Sequence, residues 1–385
     1  MSEDTETRTK LTILLFLIVF ILLSAFGILA SRLYSSYQSF YADGGFSQSV
    51  AYVVKKGAKL EQIAAELKEK GLIINDADFC FWTKIKGEDK KIKAGEYAIP
   101  AFASPFMIMN IITKGSVVVH KITFPEGLTT AEMLAILKKD ESLSGDVGEE
   151  FTDLSNGTLL PSTYHFSLGD TREGLLQRMQ ESFNRQAEAL WLKRQEDLPF
   201  NTLFEAVILA SIVEKEATLS KEKPIIASVF INRLRKGMKL QSDPTVLFAL
   251  SGGKSSTYKR VLYKDLQIDN PYNTYKYEGL PPTPICNVGM DTLEAVLNPA
   301  KTDYLYFVVD VNKPKAHVFS ATYKEHTKNA NNFRNKKKAE RAAAKKKEQD
   351  KDKEKTKDTK KPENEPPAKA KQTDKDKKTE AATVA

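Results

Sequence analysis

Cysteine is almost missing from this chain. Cys80 and Cys286 are the only two, and they lie far apart. A disulfide scaffold is therefore excluded as the main source of stability, and two free thiols are the expected state. Histidine is equally scarce. His120, His165, His317 and His326 fall at no metal-ligand spacing, so neither a metal site nor another cofactor is expected. Internal repeats are absent. Acidic excess is absent too, with a formal net charge of +8. That charge is not spread over the chain. Between Asn335 and Ala385, 18 Lys and Arg face 11 Asp and Glu, so the tail holds nearly all of it. The nearly neutral remainder argues against a nucleic-acid partner. The tail also lacks aromatics and has almost no bulky aliphatics. It cannot bury enough apolar area to offset ordering entropy, so disorder is predicted over 333–385. Such a tail serves either solubility or electrostatic attraction to anionic polymers and membrane surfaces.

One long apolar run is present. Leu11–Ala30 reads LTILLFLIVFILLSAFGILA, twenty residues without charge or proline. A helix of that length spans about 30 Å, the thickness of a bilayer core. A cleaved secretory signal has a shorter apolar region, roughly 7–15 residues, followed by a small-residue cleavage site. An uncleaved anchor is therefore expected. Arg8 and Lys10 precede the run and Arg32 follows it, which favours a cytoplasmic N-terminus over residues 1–10. The rest of the chain would lie on the other side, and no second run reaches spanning length.

Residues 31–48 are short, polar and aromatic, with Gly44-Gly45 as a break, and predict a linker. A small α+β unit is expected over 49–116, in the order β-α-α-β-α. Its first strand is Ala51–Val54. Leu60, Ile63, Ala64 and Leu67 mark a helix ended by Gly71, and Phe79, Phe81, Trp82 and Ile85 mark a second. A strand over Ala94–Ile99 and a helix around Phe106–Ile112 complete it. It holds no acidic or nucleophilic cluster, so it reads as a binding or positioning module. A larger α+β unit over 117–332 begins with a strand at Val117–Phe124. Next come a helix capped by Thr130, an extended segment at 159–166 and an amphipathic helix from Thr171 to Trp191. Helices follow over Phe204–Glu216 and Lys223–Arg235, then a long ordered loop over Asn270–Gly289. A hairpin of a buried strand, Tyr304–Val309, with His317–Ser320 closes the unit.

The stretch 201–217, NTLFEAVILASIVEKEA, is the most informative. Thr202 and Glu205 form a capping box, and the helix behind them is apolar on nearly every face. Such a helix is buried, yet its last turn carries Glu214-Lys215-Glu216. A carboxylate there is desolvated, which raises its pKa toward the range of a general acid. Positions 214 and 216 lie about 200° apart, so one alone can face a given cleft, and periodicity does not choose between them. Gln241–Thr245 reads as a polar turn. Pro271-Tyr272-Asn273-Thr274-Tyr275 and Gly279-Leu280-Pro281-Pro282 mix aromatics, amides and rigid turns. Aromatic faces beside amides suit sugar binding, although an ordered surface loop bonded to itself has the same composition.

Five segments carry a resemblance to a known family. They are LASIVEKEA (209–217), SVFINRLRKGMKLQSDPTV (228–246), PYNTY (271–275), GLPPTPI (279–285) and NPAKTDYLYFV (298–308). In this order they resemble the endolytic murein transglycosylase family (YceG-like), and with the anchor and small unit the resemblance covers about residues 10–330. It implies a LysM-like, glycan-binding fold for the small unit. It implies cleavage of the β-1,4 bond between N-acetylmuramic acid and N-acetylglucosamine inside peptidoglycan strands, which would terminate nascent strands. The nucleophile would be the muramic acid's own C6 hydroxyl, giving a 1,6-anhydro end, so one carboxyl group could serve as acid and then base. By this resemblance the catalytic residue is Glu216, with Asn232, Gln241, Asp243, Tyr272, Asn273 and Tyr275 as candidates to hold the substrate. Peptidoglycan strands and cell-wall synthases are the implied partners. The chain would sit in the inner membrane through one helix, its catalytic domain periplasmic. Asn156 and Ser162 stand where many members carry an acidic pair, so no acidic role is expected there. The competing expectation is a peptidoglycan-binding scaffold without catalysis.

Overall fold

The computed structural model describes residues 2–115, 117–254 and 260–358. They form two units, one ending at Leu305 and one beginning at Tyr306.

The first unit opens with helix α1, Ser2–Tyr41. It contains the whole apolar run. Its most apolar window has a mean hydropathy of 3.1 and no buried residue. The predicted linker over 31–48 is corrected as far as Tyr41, because the helix continues ten residues beyond Ser31. The reason is tertiary. Phe40, 2 % exposed, is packed into the small domain's core, and its ring lies against Phe79, Trp82 and Phe106. Tyr37 meets Trp82 edge-on, and the Trp82 indole N–H donates to Ser36 Oγ at 3.0 Å. An aromatic at every third or fourth position made a docking face, although the segment reads as polar in isolation.

The small domain is built as its periodicity predicts. Strand β1 (Val50–Val54) leads to helices α2 (Leu60–Glu69) and α3 (Asp76–Ile85), then to strand β2 (Gly95–Ile99) and helix α4 (Pro105–Lys114). β1 and β2 are antiparallel, and Tyr52 sits opposite Tyr97 with both rings buried. Asn75 caps α3 through two backbone N–H groups. Ser104 caps α4, with Pro105 in its first turn and Gly115 in the left-handed conformation after it.

The larger domain starts with β3 (Val119–Thr123), α5 (Thr130–Lys139), the single turn α6 (Glu149–Thr152) and β4 (Thr163–Ser167). β3 and β4 pair antiparallel. The cap of α5 is Thr129, with Glu132 completing the box, rather than Thr130. Thr130 donates its backbone N–H to Asn156 Oδ1 at 2.7 Å, so Asn156 is a buried structural amide. Ser162 is exposed. Helix α7 (Arg172–Trp191) is capped by Thr171. Helix α8 (Leu203–Glu216) has the predicted Thr202–Glu205 box, and Ala206 to Val213 are all buried. Helices α9 (Lys223–Arg235), α10 (Asp243–Leu250) and α11 (Met290–Leu297) follow, and α11 packs on both α8 and α9. α10 and α11 escape a periodicity reading because both are short and α10 opens inside a segment that reads as a turn. Gly157 has φ +77, and a Cβ there would come within 2.8 Å of both Val207 and Pro284, so this close approach of loop to α8 requires glycine.

The second unit has an antiparallel hairpin, β5 (Tyr306–Val309) with β6 (His317–Ser320), and helix α12 (Tyr323–Asp358). β5 is shorter than predicted and half-buried rather than buried. The prediction of disorder from 333 is corrected as far as Asp358, which is helical. Ala, Lys, Arg and Glu dominate that stretch and have high helix propensity, and Lys336 Nζ donates to the Val311 carbonyl at 2.6 Å. Residues 359–385 lie outside the described residues.

Candidate active site

Two glutamates end α8, and their surroundings differ completely. Glu214 turns inward, its side chain 7 % exposed. Its Oε2 accepts from the Gly289 N–H at 3.1 Å and from Thr292 Oγ1 at 2.5 Å. Its Oε1 lies 3.4 Å from Lys223 Nζ. Lys223 is itself buried and reaches Asp291 Oδ2 at 2.9 Å and Glu126 Oε2 at 3.4 Å. Gly289 makes the cluster possible, since a Cβ there would strike the Glu126 carboxylate. Burial penalises the Lys223 charge, but the Asp291 hydrogen bond and the Glu214 and Glu126 charges outweigh it and hold the ammonium above its usual pKa. Burial and the Glu214 charge push Glu126 up. Glu126, Glu214 and Asp291 bring carboxylate oxygens within 4.8 Å of one another, a spacing that suits a metal. The cation among them is the Lys223 ammonium.

Glu216 turns the other way and is half-buried. Ser242 Oγ donates to its Oε1 at 2.6 Å. Ser242 is the residue before α10, where a serine usually caps its own helix. It makes no such cap and serves Glu216 instead. Gln241 beside it holds φ +51, a left-handed conformation uncommon for a side chain with a Cβ. Backbone strain of this kind tends to gather at functional sites. The turn is stitched to the loop through Thr274. Gln241 N–H donates to Thr274 O at 3.1 Å, and Ser242 N–H donates to Thr274 Oγ1 at 3.0 Å. Tyr275 OH donates to Asp243 Oδ1 at 2.6 Å. Burial, that bond, and the charges of Asp243 and Glu216 push its pKa far up, so the phenol keeps its proton.

The structure thus brings Glu216, Gln241, Asp243 and Tyr275 together. The other candidates serve differently. Asn273 is fully buried, its amide donating to the Leu266 and Ile268 carbonyls and accepting from the Tyr275 N–H, so it shapes the loop. Tyr272 OH meets Thr283 Oγ1 at 2.7 Å, and its ring packs on Phe248. Asn232 donates to the Thr302 and Tyr304 carbonyls and lines a separate cavity of about 780 Å³ with Ser228, Arg235 and Asp303. A reading of the sequence marks the segments that carry Ser242 and Thr274 without singling out either residue, and passes over Lys223 and Glu126. The left-handed Gln241 has no sequence signal, and Lys223 reads as an ordinary first-turn residue before Pro224.

The five segments quoted above all lie within the match to a known family. A model of the YceG-like family matches residues 52–332. The endolytic murein transglycosylase of Bacillus subtilis (strain 168) is 36 % identical over 304 residues, covering 71 % of this chain and 82 % of that protein. The endolytic murein transglycosylase of Streptococcus pneumoniae serotype 2 (strain D39 / NCTC 7466) is 27 % identical over 369 residues, 84 % of this chain and 65 % of that protein. Among solved structures, a YceG-like protein from Listeria monocytogenes is 30 % identical and covers 73 % of this chain and 99 % of its own, with a TM-score of 0.45.

Proposed function

This chain belongs to the YceG-like family and is a lytic transglycosylase, and from that premise we propose that it cuts peptidoglycan strands internally through Glu216. The bond is the β-1,4 link from N-acetylmuramic acid to N-acetylglucosamine. Glu216 gives its proton to the leaving glycosidic oxygen as the C1–O bond breaks. The muramic acid C6 hydroxyl then closes on C1, its proton passes to Glu216, and a 1,6-anhydro end forms without water. The carboxyl group is thereby restored to its starting state.

The observation that carries this reading is the contrast at the end of α8. Glu214 is committed to a buried ammonium, a hydroxyl and a backbone N–H. Glu216 is half-buried beside a polar turn and a tyrosine-bearing loop. Ser242 fixes the direction of its carboxyl group, and Tyr275 and Asp243 offer a donor and an acceptor to sugar hydroxyls. Gln241 adds an exposed amide at the same edge. α1 serves as a single-pass anchor with a cytoplasmic N-terminus, and the small domain is a LysM-like glycan-binding module. Anchoring keeps the site on the outer face of the inner membrane, where new strands and their synthases meet.

Mass spectrometry of products from purified sacculi tests the proposal. Anhydro ends at internal positions are expected from the wild type and none from Glu216→Gln. A wild type that binds strands and releases nothing would make the chain a scaffold.

A further inference from the structure

α1 does more than leave the membrane. The apolar run ends at Ala30, and Phe40 is already in the small domain's core ten residues later. Ten helical residues rise about 15 Å. A domain of the size of 49–115 has a radius of gyration of roughly 11 Å, hence a half-width of roughly 14 Å. The headgroup layer above a bilayer core is about 5–8 Å thick. A domain held rigidly at that height overlaps the headgroup layer, and a tilted helix brings it lower still.

One loop of the domain lies beside α1 where the apolar run ends. Ile74, Asn75 and Asp78 line a groove whose other wall is α1, from Ser24, Gly27 and Ile28 past Arg32 to Ser39. The helix side of this groove straddles the end of the apolar run. Within the loop, Leu72 and Ile73 are buried in the domain core, whereas Ile74 is 83 % exposed. A branched apolar residue at a loop tip has no role in that core. Arg32 on the facing wall has the reach and charge to meet a lipid phosphate.

Resting on the reading of α1 as a membrane span, we propose that the loop Gly71–Asn75 is a second membrane contact, with Ile74 inserted at the headgroup–acyl boundary of the leaflet from which α1 emerges. The occupant of the groove is then lipid. Two contacts, helix and loop, restrain rotation of the small domain about the α1 axis. The restraint passes to the next domain through Glu96, whose carbonyl accepts from the Val118 N–H and whose carboxylate meets His120 Nε2 at 2.7 Å.

The test uses the full chain in vesicles of phosphatidylethanolamine and phosphatidylglycerol. Cys80 is replaced by alanine, Cys286 is buried and stays, and a single bimane label is placed by Ile28→Cys or Ile74→Cys. Thermal melting checks that each labelled chain folds. Doxyl-labelled lipid is expected to quench both labels, the one at 74 by roughly twofold, and aqueous iodide is expected to reach 74 less well than in detergent. Quenching at 28, with 74 as open to iodide as in detergent, overturns the loop contact and leaves the anchor standing. Quenching at neither position overturns the anchor reading and the loop contact together.

Discussion

Two carboxylates two residues apart end one helix, and they have opposite occupations. Around Glu214 gather an ammonium, a hydroxyl, a backbone N–H and two further carboxylates, with Glu214 and Lys223 buried and Glu126 and Asp291 half-exposed at the rim. Beside Glu216 the Ser242 hydroxyl donates to its carboxylate and the Tyr275 hydroxyl donates to Asp243, with Gln241 and Asp243 exposed at the same edge. The first is a side closed by ion pairs, and the second is an open edge of exposed polar residues, on which the proposed chemistry rests. The same residue type thus sits in an ion-paired cluster in one place and, in the proposal, at the reacting bond in the other. The difference is set by partners 9 to 78 positions away along the chain, not by the helix itself.

The sharpest way to break this comparison is to neutralise each carboxylate. Glu216→Gln keeps an oxygen for Ser242 but removes the transferable proton. Anhydro-product release should fall roughly a thousandfold, within the range for loss of a general acid–base, with little change in melting temperature. If that variant kept full turnover, the open side would have no catalytic carboxyl group.

On the closed side the effect should be on stability. Lys223→Met leaves Glu214, Glu126 and Asp291 clustered without their cation, and should cost about 3–5 kcal/mol in urea unfolding. The pH dependence has a definite sign. The Lys223 pKa is raised above its ordinary 10.5, so its contribution is complete below that value and is lost as pH rises through the folded-state value. The gap in stability between wild type and variant should therefore narrow above pH 10.5. A variant as stable as wild type but inactive would move Lys223 from the closed side to the catalytic one.

Tyr275→Phe probes the boundary between the two sides. Its hydroxyl bonds Asp243 at the open edge, so roughly tenfold lower turnover is expected, with no more than about 1.5 kcal/mol of stability lost. Loss of stability without loss of turnover would make the Tyr275–Asp243 pair a strut of the loop.

How far the sequence reveals this depends on the range of each determinant. α8 is legible because its capping box and apolar faces are local, and so are the helices and strands of the small domain. The different surroundings of Glu214 and Glu216 are not, because Ser242, Gly289 and Thr292 reach the helix end through tertiary folding. Gln241–Thr245 reads as a turn because Asp243-Pro244 is a common turn pair, yet it also suits the first turn of a helix, which is what forms. α1 reads as ending at Ala30 because its last turns are polar on the outside, and only the core around Phe40 reveals why they stay helical.

The smallest expected effect tests how far the open side extends. The Asn232 amide donates to the Thr302 and Tyr304 carbonyls and lines a cavity whose walls do not include Glu216. Asn232→Ala removes two donors at a half-buried site, so about 1 kcal/mol of stability should be lost. Glycan turnover at saturating substrate should stay within about twofold of wild type, because no bond to the Glu216 edge is broken. A rise in KM with kcat unchanged would mean that a strand long enough to pass Glu216 also reaches this cavity. The resemblance that assigns Asn232 to substrate binding would then hold at a distance from the cleaved bond, and the open side would be a track rather than a point.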